Sequence, residues 1–233
     1  MSIFLVYLGL CVIETGGGET GEVPSPPTTY ELMINGESFL LEAGRLVKLP
    51  SQLRPGTVYE VAIRISPVQY LRLNQIRLAY DLRTKVEDNR QAERRSVRLA
   101  HPQNCHMLIT ELGDPLEPAD RETALRMLTE SVVQSYRGRH IPDNRMELSR
   151  LENMLLPGAE ARGVQIRYQD AHGIEHRSLV YLLVGKTFTC SCIFEYLQAD
   201  EASVLPIVKR TLDSVEPIGR GRAEGTPLER PKK

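Results

Sequence analysis

The sequence predicts an α+β fold: a mainly antiparallel β-sheet covered by helices, with an additional N-terminal β-hairpin region. The order of the elements leads to this prediction, because several strands come first, followed by one helix, three long strands and a closing helix. The middle strand of the three, Ser178 to Val184, is apolar on both faces. We therefore expect it at the centre of the sheet, covered on both sides.

The composition restricts the class of protein. The chain has 233 residues, of which 41% are hydrophobic and 25% charged, as is usual for globular proteins. With 29 basic and 30 acidic residues the net charge is -1, so the chain lacks the positive field that nucleic-acid-binding proteins use. The four cysteines are too few for a disulfide framework. We expect no nucleic acid among the partners.

The two ends of the chain differ from its middle. Residues 1–13 contain an apolar run with the length of a signal-peptide core but without its positive start, and an apolar first strand is the alternative. Cys11 follows a lipoprotein-like box that has Leu10 where a small residue is usual. Residues 14–29 predict a flexible linker, and residues 218–233 a basic disordered tail. We expect one domain over residues 30–217, exported or tethered to a membrane through the N-terminus only.

Residues 30–66 carry the first β-signals. Tyr30 to Ile34 and Ser38 to Glu42 flank Asn35-Gly36, a dipeptide typical of the two-residue type I′ hairpin turn. Thr57 to Ser66 follows, with apolar and charged side chains on opposite faces. This segment is interpreted as an N-terminal β extension of the domain.

The next segments are also predicted as strands. Leu71 to Tyr80 alternates, but its parity changes at Asn74-Gln75, which predicts a β-bulge. Two short strands, Ser96 to Ala100 and His106 to Glu111, are joined by a turn at Pro102-Gln103-Asn104.

Two segments have helical spacing. The first runs from Asp120, a predicted N-cap, to Arg137, with Gly138 predicted in the left-handed position that ends many helices. The closing helix has Ser203 as its predicted cap and Pro206 in its first turn, where proline is tolerated.

The region between the helices is predicted as turns followed by a β-meander. His140 to Arg150 is polar and turn-like. Gln165 to Gln169, Ser178 to Val184 and Thr187 to Tyr196 then predict three antiparallel strands.

The stretch from about Leu71 to Pro217 resembles the PsbP / Mog / DcrB group of proteins. The features that match are Leu78-Ala79-Tyr80-Asp81 as an early strand, the helix from Asp120, the meander that ends in Thr187 to Tyr196, and a closing helix that runs into Leu212-Asp213-Ser214-Val215. The resemblance implies an α/β/α sandwich. It also implies a non-enzymatic binding or adaptor protein with a protein partner, because members of the group serve as photosystem subunits, import factors, periplasmic proteins and secretion chaperones.

One string has the appearance of a metal site. His172-Gly173-Ile174-Glu175-His176 matches the H-x-x-E-H pattern of inverted zinc proteases. In those enzymes a helix places residues four apart on one face, whereas here the string spans a glycine turn and the start of a strand. We interpret it as an exposed hairpin turn. A metal-dependent hydrolase that uses His172, Glu175 and His176 is an alternative.

Two clusters contain soft metal ligands. His101, Cys105 and His106 surround a turn but lack an assigned fourth ligand. Cys190 and Cys192 share one side of a strand with aromatic residues, which predicts a place in the core. We assign neither cluster a metal.

A group of arginines, Arg90, Arg94, Arg95 and Arg98, is interleaved with acidic residues and has no aromatic platform, so we predict a solvated hairpin. No catalytic, cofactor-binding or metal-binding residue is assigned, and no cofactor is expected. The sequence therefore predicts a non-catalytic protein- or ligand-binding adaptor, and a cytoplasmic secretion chaperone of the same fold is the alternative.

Overall fold

The computed structural model describes residues 29–34, 37–42, 61–91 and 94–218. The predicted N-terminal segment, the linker up to residue 28 and the tail after Ile218 lie outside the described residues. Thr29, predicted as linker, begins β1, and Ile218, predicted as tail, donates its N–H to the carbonyl oxygen of Gln75 at 2.8 Å. In chain order the elements are β1 (Thr29–Ile34), β2 (Glu37–Glu42), β3 (Val61–Ile65), β4 (Val68–Arg72), β5 (Ile76–Asp81), β6 (Lys85–Gln91), β7 (Arg94–His101), β8 (Cys105–Gly113), α1 (Arg121–Gly138), β9 (Met146–Arg150), β10 (Met154–Leu155), β11 (Ala159–Gln169), β12 (Glu175–Gly185), β13 (Thr189–Leu197), α2 (Glu201–Asp213) and β14 (Glu216–Pro217).

The main sheet has the order β10-β11-β12-β13-β8-β7-β6. Strand β9 also pairs with β11, so that β9 and β10 lie one after the other along the same edge of β11. Two three-stranded sheets have the orders β2-β1-β3 and β14-β5-β4. The strand pairs of all three sheets are antiparallel. The predicted α+β class with mainly antiparallel strands is confirmed.

Strand β12 buries both of its faces, as its sequence predicts. On one face Leu179 and Leu183 belong to a hydrophobic cluster that includes Val208 of α2. On the other face Val180 belongs to a cluster that includes Val132 of α1. Each helix contributes residues three or four positions apart, which is the spacing of a single apolar stripe. Helix α1 thus packs against one face of β12, while α2 contacts β13 and β5.

The predicted N-terminal hairpin is confirmed. Strands β1 and β2 pair with Ile34 opposite Glu37, and the turn residues Asn35 and Gly36 lie outside the described residues. Strand β3 pairs with β1 and covers the second half of the strand that the sequence predicts from Thr57.

A buried glutamine joins this small sheet to β4. The side-chain amide of Gln69 donates to the carbonyl oxygens of Thr29 at 3.1 Å and Ser66 at 2.6 Å, and its carbonyl oxygen accepts the N–H of Thr29 at 2.8 Å. Because a buried polar group must find partners inside the protein, these bonds determine where β1 meets β4.

The predicted β-bulge at Asn74-Gln75 is wrong, because the chain reverses there. Strands β4 and β5 form a hairpin, and the N–H of Leu73 donates to the carbonyl oxygen of Ile76 at 2.9 Å. The carboxylate of Glu111, buried on β8, accepts the backbone N–H groups of Asn74 at 3.0 Å and Gln75 at 2.6 Å. A bulge and a tight turn both change the parity of an apolar pattern, so the pattern does not separate them.

The helix ends differ in detail from the prediction. Asp120 occupies the N-cap position of α1, but its side chain makes no capping hydrogen bond. Gly138 is the last helical residue, and the left-handed residue is His140, with φ of 62°. Helix α2 begins at Glu201, before the predicted cap Ser203, because the short 3-10 turn over Gln198–Asp200 leads directly into it.

Pro206 therefore lies inside α2 and not in its first turn. A proline at this position removes one helical hydrogen bond. The buried stripe of the helix continues past the proline through Val208 and Leu212.

The prediction of turns over His140 to Arg150 is also wrong in its second half. A 3-10 turn at Asp143–Arg145 leads into β9, in which Met146 is partly buried and the four following residues, three of them polar, are exposed. Strand β9 lies at the edge of the sheet, where few apolar residues are needed. Its sequence therefore lacks the alternation of apolar and polar residues that predicts a strand.

Candidate functional site

The H-x-x-E-H string forms a hairpin turn between β11 and β12. The Asp170 carboxylate accepts the N–H groups of His172 at 2.8 Å and Ile174 at 2.9 Å, and its second oxygen lies 3.3 Å from Nε2 of His176. Glu175 and His176 are consecutive residues of β12 and therefore point to opposite faces. In the part of the chain that the structure describes, no three His, Cys, Asp or Glu side chains gather closely enough to hold a metal ion.

The residues of the His101 cluster also lie on two different faces. His101 and Cys105 pair across the turn between β7 and β8, and both are buried. His106 follows Cys105 along β8 and is exposed on the opposite face. Burial raises the pKa of the Cys105 thiol to about 12, so the thiol stays protonated at neutral pH.

Cys190 and Cys192 lie in the hydrophobic core, as their spacing predicts. A hydrogen bond with Cys192, together with burial, raises the pKa of the Cys190 thiol. Both thiols are fully buried and fill space between the main sheet and α2.

The arginine group lies on the predicted hairpin, which β6 and β7 form. The Arg95 guanidinium binds the Asp88 carboxylate at 2.6 and 3.0 Å and the Arg72 carbonyl oxygen at 2.7 Å. Arg98 lies 3.7 Å from Glu87. The side chains of Arg90 and Arg94 lie outside the described part of the chain.

A site that the sequence did not predict lies between α1 and β9. It is an open groove of about 900 Å³. One flank of α1 forms its wall, and β9 together with Val164 of β11 forms its floor. We call this the α1–β9 groove. Its apolar lining residues are Leu125, Val133, Met146, Leu148 and Val164.

The groove exists because α1 covers the inner strands of the sheet and leaves β9 uncovered. Leu148 of β9 is paired with Ile166 of β11, and paired residues point to the same face. Ile166 packs with Val132 of α1 and is fully buried, whereas 51% of Leu148 is exposed. A leucine at the edge of the sheet therefore borders the groove without a covering element among the described residues.

At the same place β9 has backbone groups that no other described strand pairs with. The N–H of Leu151 donates to the carbonyl oxygen of Gly163 at 2.9 Å, which makes these two residues a hydrogen-bonded pair. Such pairs alternate along antiparallel strands, so the pair of Leu148 and Ile166 is of the other kind. The N–H and carbonyl oxygen of Leu148 consequently point away from β11. Leu148 presents one backbone donor, one backbone acceptor and an exposed apolar side chain.

Ion pairs stand at both ends of the groove. Arg150 binds the Glu122 carboxylate at 2.7 and 3.0 Å, and Arg137 binds Asp143 at 2.7 and 2.8 Å. The hydrogen bond from Arg137 lowers the pKa of Asp143. The charged residues that line the groove balance one another, since they are Glu122, Glu130 and Asp143 against Arg126, Arg137 and Arg150.

A buried polar network holds the C-terminal half of α1 on the sheet. The Tyr136 and Tyr168 rings lie 4.5 Å apart, and the Tyr168 ring stacks on His176 at 4.8 Å. The Tyr168 hydroxyl donates to Glu195, whose carboxylate also accepts a bond from Arg139 at 2.9 Å.

The second tyrosine completes this network. The Tyr136 hydroxyl shares a hydrogen bond with the buried Ser178 hydroxyl. Burial raises the pKa of Tyr136 and of Tyr168 well above the ordinary range, so both hydroxyls stay protonated. The wall of the groove is therefore attached to the sheet by hydrogen bonds as well as by apolar packing.

Comparisons with known proteins add no function. No model of a known protein family matches the chain, and no curated protein sequence matches it either. The chain is similar to a crystal structure from Bacteroides thetaiotaomicron VPI-5482, with 11% sequence identity and a TM-score of 0.40. The match covers 63% of this chain and 46% of that chain, so this chain spans less than half of the other's length. Neither described helix is long and apolar enough to cross a membrane.

Proposed function

We propose that the protein is a non-catalytic adaptor that binds an extended, apolar segment of a partner protein in the α1–β9 groove. The segment adds a strand to the free edge of β9, at the open side of the groove, and its apolar side chains on that face pack against Leu148. The observation that carries the proposal is the position of Leu148, where outward backbone groups coincide with a half-exposed apolar side chain. Peptides that add to a sheet edge obtain affinity from the backbone and specificity from alternate side chains.

The dimensions of the groove fit such a segment. β9 runs over Met146–Arg150, and five residues of strand are about 17 Å long. The groove of about 900 Å³ lies within the range of ordinary ligand sites. We therefore expect a partner segment of about five residues to pair with β9.

The charges of the groove favour an uncharged segment. Its acidic and basic lining residues balance, so a strongly charged peptide gains no net attraction. The ion pairs Arg150–Glu122 and Arg137–Asp143 already satisfy the charged groups at the two ends. A segment with apolar residues at alternate positions matches the floor, where Leu148 is half-exposed and Met146 and Val164 are partly buried.

We propose further that the architecture is the α/β/α sandwich of the PsbP / Mog / DcrB group. The two faces of β12 belong to separate hydrophobic clusters, one with residues of α1 and the other with residues of α2, and this supports the proposal. Members of the group bind other proteins, which agrees with an adaptor. Export and a cytoplasmic chaperone remain alternatives for its location, and mass spectrometry of the native N-terminus separates them, because a cytoplasmic chaperone retains residues 1–13.

The experiment is a selection of random peptides on the purified full chain, followed by fluorescence anisotropy of the selected peptides. We expect peptides with alternating apolar residues. Leu148→Asp is expected to reduce their affinity at least about tenfold, because it places a charge on the floor of the groove.

The matched control is Leu205→Asp, which changes a leucine that is 42% exposed on α2, away from the groove. This variant is expected to bind the selected peptides like the unchanged chain. If selection yields no binding peptide, or if both variants bind equally, the proposed function is wrong.

A further inference from the structure

The turn between β7 and β8 depends on one buried histidine. His101 ends β7, and its side chain is only 1% exposed. Its Nδ1 accepts the backbone N–H of Gln103 at 3.2 Å. A ring nitrogen that accepts a hydrogen bond carries no proton, so the ring is neutral with its proton on Nε2.

Among the residues that the structure describes, the Nε2 side of the same ring has no hydrogen-bond partner. Oδ2 of Asp81 on β5, which also accepts from the Arg83 guanidinium at 3.1 Å, lies 3.9 Å from Nε2, which is too far for a hydrogen bond. The Nε2–H group of His101 therefore lies near the Asp81 carboxylate without a hydrogen bond to it. A second arrangement of the ring is available, in which this hydrogen bond forms.

We propose that His101 is an acid-sensitive switch that exchanges the Gln103 backbone for the Asp81 carboxylate when it takes up a proton. The new proton must go onto Nδ1, because Nε2 already carries one. A protonated Nδ1 cannot accept a hydrogen bond from the Gln103 N–H. Two donors, Nδ1–H and the Gln103 N–H, then face each other, and the β7–β8 turn loses this hydrogen bond. The positive ring is drawn towards Asp81, and the 3.9 Å gap closes to hydrogen-bond distance.

The groups around the ring decide in which pH range this happens. Asp81 favours the charged ring, whereas Arg83 and Arg210 of α2 oppose it. Burial is the largest influence and lowers the pKa of His101 below its ordinary value of 6.5. Cys105, paired with His101 on β8, stays neutral. The midpoint of the switch therefore lies below pH 6.5.

The release has a defined consequence. The turn contains Asn104, which has a positive φ of 52° and donates from its side chain to Asp200 Oδ2 at 3.2 Å. Asp200 is the residue before the first residue of α2. Acid thus loosens the contact between the β7–β8 turn and the beginning of α2. This inference does not depend on the proposed peptide binding.

The test is nuclear magnetic resonance of the full chain between about pH 8 and pH 4, the range in which histidines titrate. We expect His101 with its proton on Nε2 at high pH. We expect the Gln103 amide and the Asn104 side-chain amide to shift with the same midpoint as the His101 ring, below 6.5.

The diagnostic variant is His101→Asn, which keeps an acceptor near Nδ1 and cannot be protonated in this range. Its Gln103 amide is expected to be independent of pH. The control His106→Asn, at the exposed neighbour, is expected to leave the shift unchanged. The proposal is overturned if the unchanged chain carries the neutral proton on Nδ1, or if Gln103 does not respond to the titration of His101. Both of these outcomes are measured on the unchanged chain, so they do not depend on whether His101→Asn folds.

Discussion

Leu148 and Ile166 are directly paired on one face of the sheet, yet Ile166 is fully buried and half of Leu148 is exposed. Helix α1 covers the inner member of this pair and not the outer one. The α1–β9 groove forms where the cover of α1 ends, between Ile166 and Leu148. The backbone N–H and carbonyl oxygen of Leu148 point outward there, which makes the edge suitable for an added strand.

Proline substitutions test this geometry without any ligand. Leu148→Pro removes an N–H that points away from β11, so we expect a loss of less than about 1 kcal/mol in the free energy of unfolding. Ser149→Pro, one residue further, removes an N–H that points to β11, and we expect a loss of about 3 kcal/mol. Urea denaturation of the two variants measures the difference. Equal losses would mean that the backbone of Leu148 does not face outward.

The attachment of the N-terminal sheet depends on Gln69. Gln69→Leu removes three hydrogen bonds to Thr29 and Ser66, and leaves buried backbone groups without these partners. We expect a loss of about 2 to 4 kcal/mol in the free energy of unfolding. Gln134→Leu on the exposed side of α1 is the control and is expected to change stability by less than about 0.5 kcal/mol. Similar values for the two variants would contradict this role of Gln69.

The β4–β5 turn depends on Glu111. Glu111→Gln replaces one of two accepting oxygens with an N–H₂ group that faces a backbone N–H donor of Asn74 or Gln75. We expect a loss of about 1 to 3 kcal/mol, measured by thermal and chemical unfolding. Glu117→Gln, at an exposed carboxylate in the loop before α1, supplies the comparison. A Glu111→Gln variant as stable as Glu117→Gln would exclude the carboxylate as the cause of the reversal.

These elements show which parts of the fold can be predicted from sequence. The helical spacing of the segment that forms α2 and the two buried faces of β12 are predicted correctly, because helix and strand periods are local. The reversal at Asn74 is not, because its cause is a carboxylate on β8, distant in the chain. The α1–β9 groove could not be predicted either, since an edge strand as polar as β9 resembles a turn.

The histidine switch predicts a dependence of stability on pH. The pKa of His101 is lowered in the folded chain, so the unfolded chain binds the proton more readily. The contribution of neutral His101 to stability is therefore complete above pH 6.5 and is lost as the pH falls towards the folded pKa. We expect the stability of the unchanged chain to fall relative to His101→Asn over this interval, measured by denaturation at a series of pH values. Parallel curves would contradict the prediction.

The network behind the groove gives a last stability prediction. Tyr136→Phe leaves the buried Ser178 hydroxyl without its hydrogen bond to Tyr136, whereas Tyr168→Phe leaves Glu195 with its bond from Arg139. We expect Tyr136→Phe to cost about 1 to 2 kcal/mol and Tyr168→Phe less. Calorimetric unfolding of the two variants compares them, and the reverse order would show that Tyr168 is the stronger connection.

Hydrogen exchange at the Leu148 amide tests the adaptor function most directly, with and without a peptide selected on the full chain. An added strand accepts a hydrogen bond from this outward N–H, so we expect its exchange to slow at least about tenfold in the complex, while amides of α2 are unaffected. A peptide that binds tightly and leaves exchange at Leu148 unchanged would contradict strand addition at β9.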